Sequence, residues 1–103
     1  MASKKKILIG GMDSHEYLWS MFAVASRLYN FEFVIEVERD ENVNGELVDF
    51  YTVHTRFPVE DGPPIHLPYS LSSTVLTARI MVGVSTLDSV KNWAESQRAV
   101  LGP

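Results

Sequence analysis

The chain has no cysteine. That excludes disulfides, thiolate nucleophiles and cysteine-ligated zinc. It also has no apolar run approaching the ~18 residues that span a bilayer, which excludes a transmembrane helix at the level of sequence. Lys4, Lys5 and Lys6 precede only Ile7, Leu8 and Ile9, too short a stretch for a secretory h-region, so an intracellular, cytoplasmic protein is expected. Basic charge is scarce: nine Lys and Arg face thirteen Asp and Glu, a net charge of −4. A generic nucleic-acid binder is the opposite case, so neither nucleic acid nor membrane is an expected partner. G-x-G-x-x-G, G-x-x-x-x-G-K-[ST] and G-x-S-x-G motifs are all missing.

What is present is ordinary for a soluble domain: 103 residues, 46% hydrophobic and 21% charged. That length predicts one compact domain over residues 1–103, with residues 1–4 a frayed terminus.

The apolar run at 5–9 ends in Gly10-Gly11 and predicts a buried strand with a breaker. Asp13 and Glu16 have capping-box spacing before a helix over 14–29. Leu18, Met21, Phe22, Ala25, Leu28 and Tyr29 give that helix a buried stripe, while Tyr17, Trp19 and Val24 lie off it. Residues 31–39 alternate, Phe33, Ile35 and Val37 against Glu32, Glu36 and Glu38, which predicts a half-buried strand. A second strand over 46–57 would complete a hairpin. Asn44-Gly45 suits a two-residue turn pairing Val43 with Glu46. Core matching favours Val37 opposite Val48 and Ile35 opposite Phe50, with Glu36 facing Asp49.

Pro58, Pro63, Pro64 and Pro68 fall within residues 58–73, together with Gly62, and predict a long Pro-rich loop. Leu76, Ala78, Ile80, Val82 and Val84 then alternate as a strand over 74–84. Ser85 and Asp88 repeat the capping-box spacing before a helix over 86–101 that buries Leu87, Val90, Trp93, Ala94 and Leu101. The expected fold is α+β, a two-layer β-α-β-β-β-α sandwich. It has a right-handed first crossover and a four-stranded mixed sheet with two helices on one face.

Three groups of residues are candidate sites. Gly10, Gly11, Asp13, Ser14 and His15, with Ser85 at the same end of the expected sheet, form a strand-to-helix turn that suits an anion or nucleotide. The carboxylate of Asp13 opposes a phosphate, and a plain capped turn explains the same residues. Residues 31–62 hold nine acids against Arg39 and Arg56, a net −7. Glu32, Glu36, Glu38, Asp40, Glu41 and Asp49 would form an acidic lobe able to dock a basic protein surface, or simply a solvated sheet face. Ile65, Leu67 and Tyr69 in the Pro-rich segment would offer anchors to a partner, or close the core from outside.

The histidines His15, His54 and His66 lack ligand spacing, so no metal or other cofactor is expected. No catalytic residues are assigned. The reading reached from sequence is a small non-enzymatic interaction or accessory module with a partner of basic surface. It is expected to self-associate through Tyr17, Trp19 and Val24 and through an open sheet face carrying Val34 and Tyr51. The alternatives are a small-ligand or nucleotide binder at Gly10 to His15, or a small enzyme using a histidine as base.

Overall fold

The computed structural model describes residues 14–81 and 86–103. Their order is α1 (Ser14–Tyr29), β1 (Glu32–Glu41), β2 (Leu47–Val59), β3 (Gly62–Ser72), α2 (Ser73–Met81) and α3 (Thr86–Leu101). The three strands form an antiparallel meander with β2 in the centre. The α+β class therefore holds, but the described sheet has three antiparallel strands and the described helices number three. Among the described residues a four-stranded mixed sheet with two helices is not what forms. The expected strand at 5–9, and with it the parallel crossover, lies outside the described residues.

Helices α1 and α3 occupy the residues their periodicity predicts. Each ends in a left-handed residue. Asn30 (φ 54°) follows α1, with the Phe31 N–H reaching the Ser26 carbonyl at 3.2 Å; Gly102 (φ 82°) follows α3, its N–H on the Arg98 carbonyl at 2.9 Å. These bonds satisfy carbonyls that the last helical turn leaves unpaired.

Both helices pack on the sheet face formed by Phe33, Ile35, Val37, Tyr51, Val53 and Phe57. Phe22 of α1 and Trp93 of α3 join the layers: their rings meet each other at 6.1 Å, and each stands 5.2 Å from Tyr69. Tyr51 is thus a core residue and not part of the open face, while Leu28, expected in the buried stripe, is exposed. Thr55, also buried, donates its hydroxyl to the Leu67 carbonyl at 2.7 Å, so its polar atom is satisfied.

The β1–β2 register matches neither sequence expectation. Ile35 faces Val53 and Val37 faces Tyr51. The connection is Val43-Asn44-Gly45, closed by Asn42 and Glu46, with the Asn42 N–H on the Glu46 carbonyl at 2.9 Å. The Asn42 side-chain oxygen accepts the N–H of Asn44 at 2.9 Å and of Glu46 at 3.0 Å, and Gly45 takes φ 78°. A three-residue loop with a left-handed glycine is a standard hairpin closure. Asn42 fixes it by supplying two acceptor bonds that a two-residue turn cannot use. The resulting register places Arg39, not Glu36, opposite Asp49.

Residues 58–73 are no loop. They close β2, make a tight turn at Glu60-Asp61 and run as β3, with a register shift between Phe57 and Val59 at the end of β2. Prolines fit because β3 is an edge strand among the described residues. One row of N–H groups on such a strand needs no ladder partner, and Pro64 and Pro68, an even spacing apart, share a row.

The strand expected over 74–84 is also corrected: residues 73–81 are α2, and 82–85 lie outside the described residues. Ser72 caps α2, its Oγ receiving the Val75 N–H at 3.4 Å, and Leu76 enters the core.

Candidate functional site

Strand alternation sends one set of side chains into the core and the other outward. On β1 the outward set is Glu32, Val34, Glu36, Glu38 and Asp40, all exposed. The two ladders align them in rows across the sheet. Glu32 faces Arg56 and then His66; Val34 faces His54 and then Pro68. Glu36 faces Thr52 and then Ser70; Glu38 faces Phe50 and then Ser72. This face lies opposite the one on which α1 and α3 pack.

Along β1 the carboxylates start with partners and then lose them. Glu32 Oε1 accepts Arg56 Nη1 at 2.7 Å. Glu36 Oε1 lies 3.0 Å from His54 Nε2. Both pairs are exposed, so each stabilises the fold by no more than ~1 kcal/mol. Arg56 offsets the charge of Glu32, and His54 occupies the Glu36 carboxylate. Glu38 and Asp40 come next, and the residues opposite them are Phe50 and Val48. No described cation pairs with Glu38, Asp40 or Glu41. These three carboxylates, with Phe50, Thr52 and Ser70, border a shallow, solvent-open depression of about 530 Å³.

Asp49, grouped with the acids by its sequence position, stands apart from them. Its parity places it on the helix-facing side, where it is 7% exposed. Arg39 Nε reaches its Oδ1 at 3.0 Å, and its own N–H donates to Ser73 Oγ at 3.1 Å. It is a structural acid whose charge is already matched.

Ile65, Leu67 and Tyr69 pack against the core cluster from β3. They close the core and do not project from a loop toward a partner.

Of the anion-site candidates, Gly10, Gly11, Asp13 and Ser85 lie outside the described residues. Ser14 opens α1, and His15 is exposed with its ring 6.2 Å from that of Tyr51. His54 and His66 both stand on the outer face, and none of the three histidines borders the depression. Among the described residues no group of three His, Asp or Glu side chains is disposed to hold a metal ion.

Phe50, Thr52, Ser70 and Ser72 are the site residues that sequence reasoning missed. Their signal was the alternation itself: Tyr51, Val53, Thr55 and Phe57 take one face, so Phe50 and Thr52 must take the other.

No helix among the described residues is long and apolar enough to cross a membrane. Comparison with known proteins gave no match to a family model, to a curated protein or to a solved structure.

Proposed function

We propose that this protein is a non-enzymatic interaction module that docks a basic surface of a protein partner on the open face of its sheet. The observation that carries the reading is the end of internal charge pairing at Glu38. Glu32 is paired with Arg56, and Glu36 lies 3.0 Å from the His54 ring nitrogen. Glu38, Asp40 and Glu41 have no such partner among the described residues, and they border a depression floored in part by Phe50. Uncompensated carboxylates beside an aromatic ring attract cations from outside and steer their approach. Self-association belongs to the same reading: Trp19, Val24 and Leu28 leave apolar surface exposed on α1.

The test is carboxyl-to-lysine zero-length cross-linking in the native host, followed by peptide mapping. The reading expects cross-links from Glu38, Asp40 or Glu41 to lysines of one partner, lost in the Glu38→Lys/Asp40→Lys variant. Cross-links that map to other faces, or persist in the variant, would overturn it.

A further inference from the structure

We infer that the open face selects arginine over lysine, taking an extended arginine-bearing segment of the partner with one guanidinium seated against Phe50. This rests on the docking reading above and adds the chemistry of the occupant.

The argument starts from how the protein pairs its own β1 carboxylates. On the outer face the cross-strand position opposite Glu32 holds a guanidinium, Arg56, bonded at 2.7 Å. The equivalent position opposite Glu38 holds Phe50, and the next position along that row holds Ser72. The row therefore offers a carboxylate beside an aromatic ring, at a cross-strand Cβ separation of about 5 Å, while the Ser72 hydroxyl beyond them is engaged with Thr74 and the α2 cap. A planar cation laid on the ring has its edge within reach of the carboxylate. Guanidinium is flat, weakly hydrated and forked, so it stacks on an aromatic face and donates two parallel bonds at once. An ammonium ion is a compact, strongly hydrated point charge that gains less from the ring.

The same molecule already places a guanidinium over a phenylalanine on its other face, Arg98 over Phe57 at 5.2 Å. Among the described residues no cation of the chain lies over Phe50, which is only half-buried. Glu36, Glu38 and Asp40 repeat every second residue, the period of an extended strand. A segment with basic residues at alternate positions matches that spacing. The charge complementarity is one-sided. A second copy of this chain would bring its own acids to the face, so a different, basic chain is the occupant.

The experiment uses the full chain and two synthetic probes, the capped pentapeptides Arg-Thr-Arg-Thr-Arg and Lys-Thr-Lys-Thr-Lys. Affinities are measured by titration calorimetry at low salt, together with proton spectra of the bound arginine side chains. The expected result is about two- to fivefold tighter binding of the arginine peptide. Its side-chain protons should shift upfield from the Phe50 ring current, and Phe50→Leu should abolish both the preference and the shift. Phe50→Tyr, which keeps the ring, should retain both. Should Phe50→Leu fail to fold, the wild-type shift and the Phe50→Tyr result decide.

Equal affinity of the two peptides, or an unshifted arginine, overturns the arginine inference. If both then still bind and Glu38→Lys abolishes both, the docking reading stands without it. If neither peptide binds, both ideas fail.

Discussion

Arg98 donates through Nε to the Tyr29 carbonyl at 3.0 Å, tying the last turn of α3 to the last turn of α1. The rest of its guanidinium is spent at the same corner. Nη1 reaches the carbonyls of Pro58 at 2.9 Å and Gly102 at 3.0 Å, and Nη2 that of Asn30. Four carbonyls from two helix ends and the end of β2 therefore share one cation, which also lies over Phe57. Carbonyls at a helix C-terminus carry partial negative charge, so a cation there is favoured twice, by hydrogen bonds and by the helix dipole. Arg98→Ala should destabilise the protein by about 2–4 kcal/mol in urea unfolding. Arg98→Lys should recover only part, because one ammonium cannot reach four acceptors arranged around a plane. A loss below ~1 kcal/mol for Arg98→Ala would mean the corner holds without it.

Arg39 and Asp49 form the second polar tie, on the helix-facing side of the hairpin. Removing the arginine strands a buried carboxylate, whereas removing both charges leaves no orphan. Arg39→Ala should cost about 1–3 kcal/mol, and Arg39→Ala/Asp49→Ala should cost less than the sum of the single changes. A double-mutant cycle with no coupling would show that the Asp49 carboxylate draws no stability from Arg39.

Much of this fold is legible in the sequence, and the errors have identifiable causes. Helices α1 and α3 carry strong 3.6-residue stripes, and β1 alternates cleanly, so all three fall where expected. β3 was concealed by its prolines. Proline breaks a central strand but not an edge row, and Ile65, Leu67, Tyr69 and Leu71 alternate once that is allowed. In α2 the period-2 apolar pattern of residues 76–80 competes with the Ser72 cap, and the cap prevails. The acidic lobe was half legible. Parity separates Asp49 from Glu38 and Asp40 only once the three-residue hairpin loop sets the register, and the Asn42 side chain that closes that loop is outweighed in the sequence by the Asn44-Gly45 turn signal and by core matching.

Trp93 meets the rings of Phe22, Phe31, Phe57 and Tyr69, each with its centroid 5.2–6.4 Å away. Aromatic edges add to the area buried, and truncation opens a cavity among four rings. Trp93→Ala should cost about 3 kcal/mol, the lower end of the range for a large aromatic, because the ring is not fully enclosed. Unfolding within about 1 kcal/mol of wild type would make α3 peripheral to the core.

Trp19 is 52% exposed although its ring lies 6.1 Å from that of Phe33. Apolar surface of this kind on a helix favours association with a second copy. Light scattering at high micromolar concentration should give a mass above the 11.6 kDa of one chain. Trp19→Arg should return it to the monomer value. A wild-type mass at the monomer value would remove self-association from the proposed role.

The charge on the open face gives a prediction that separates one carboxylate from another. Glu32 and Glu38 lie on the same strand and the same face, three rows apart. Glu32 is paired with Arg56, so its field is already cancelled at short range. Glu38 faces Phe50 and keeps its field. Reversal at an exposed position changes stability by only about 0.5 kcal/mol, so Glu38→Lys should unfold near wild type. Glu32→Lys should destabilise slightly more, because it sets a lysine against Arg56. For binding the order inverts. Glu38→Lys should slow association with the cross-linked partner several-fold and flatten its dependence on ionic strength, since steering is carried by unscreened, unpaired charge. Glu32→Lys should change the rate less, because the reversal acts away from the depression. Stopped-flow association rates for both variants across a salt series decide the matter. Equal effects from the two reversals would mean that net charge alone steers the partner, and that the end of pairing at Glu38 has no functional consequence.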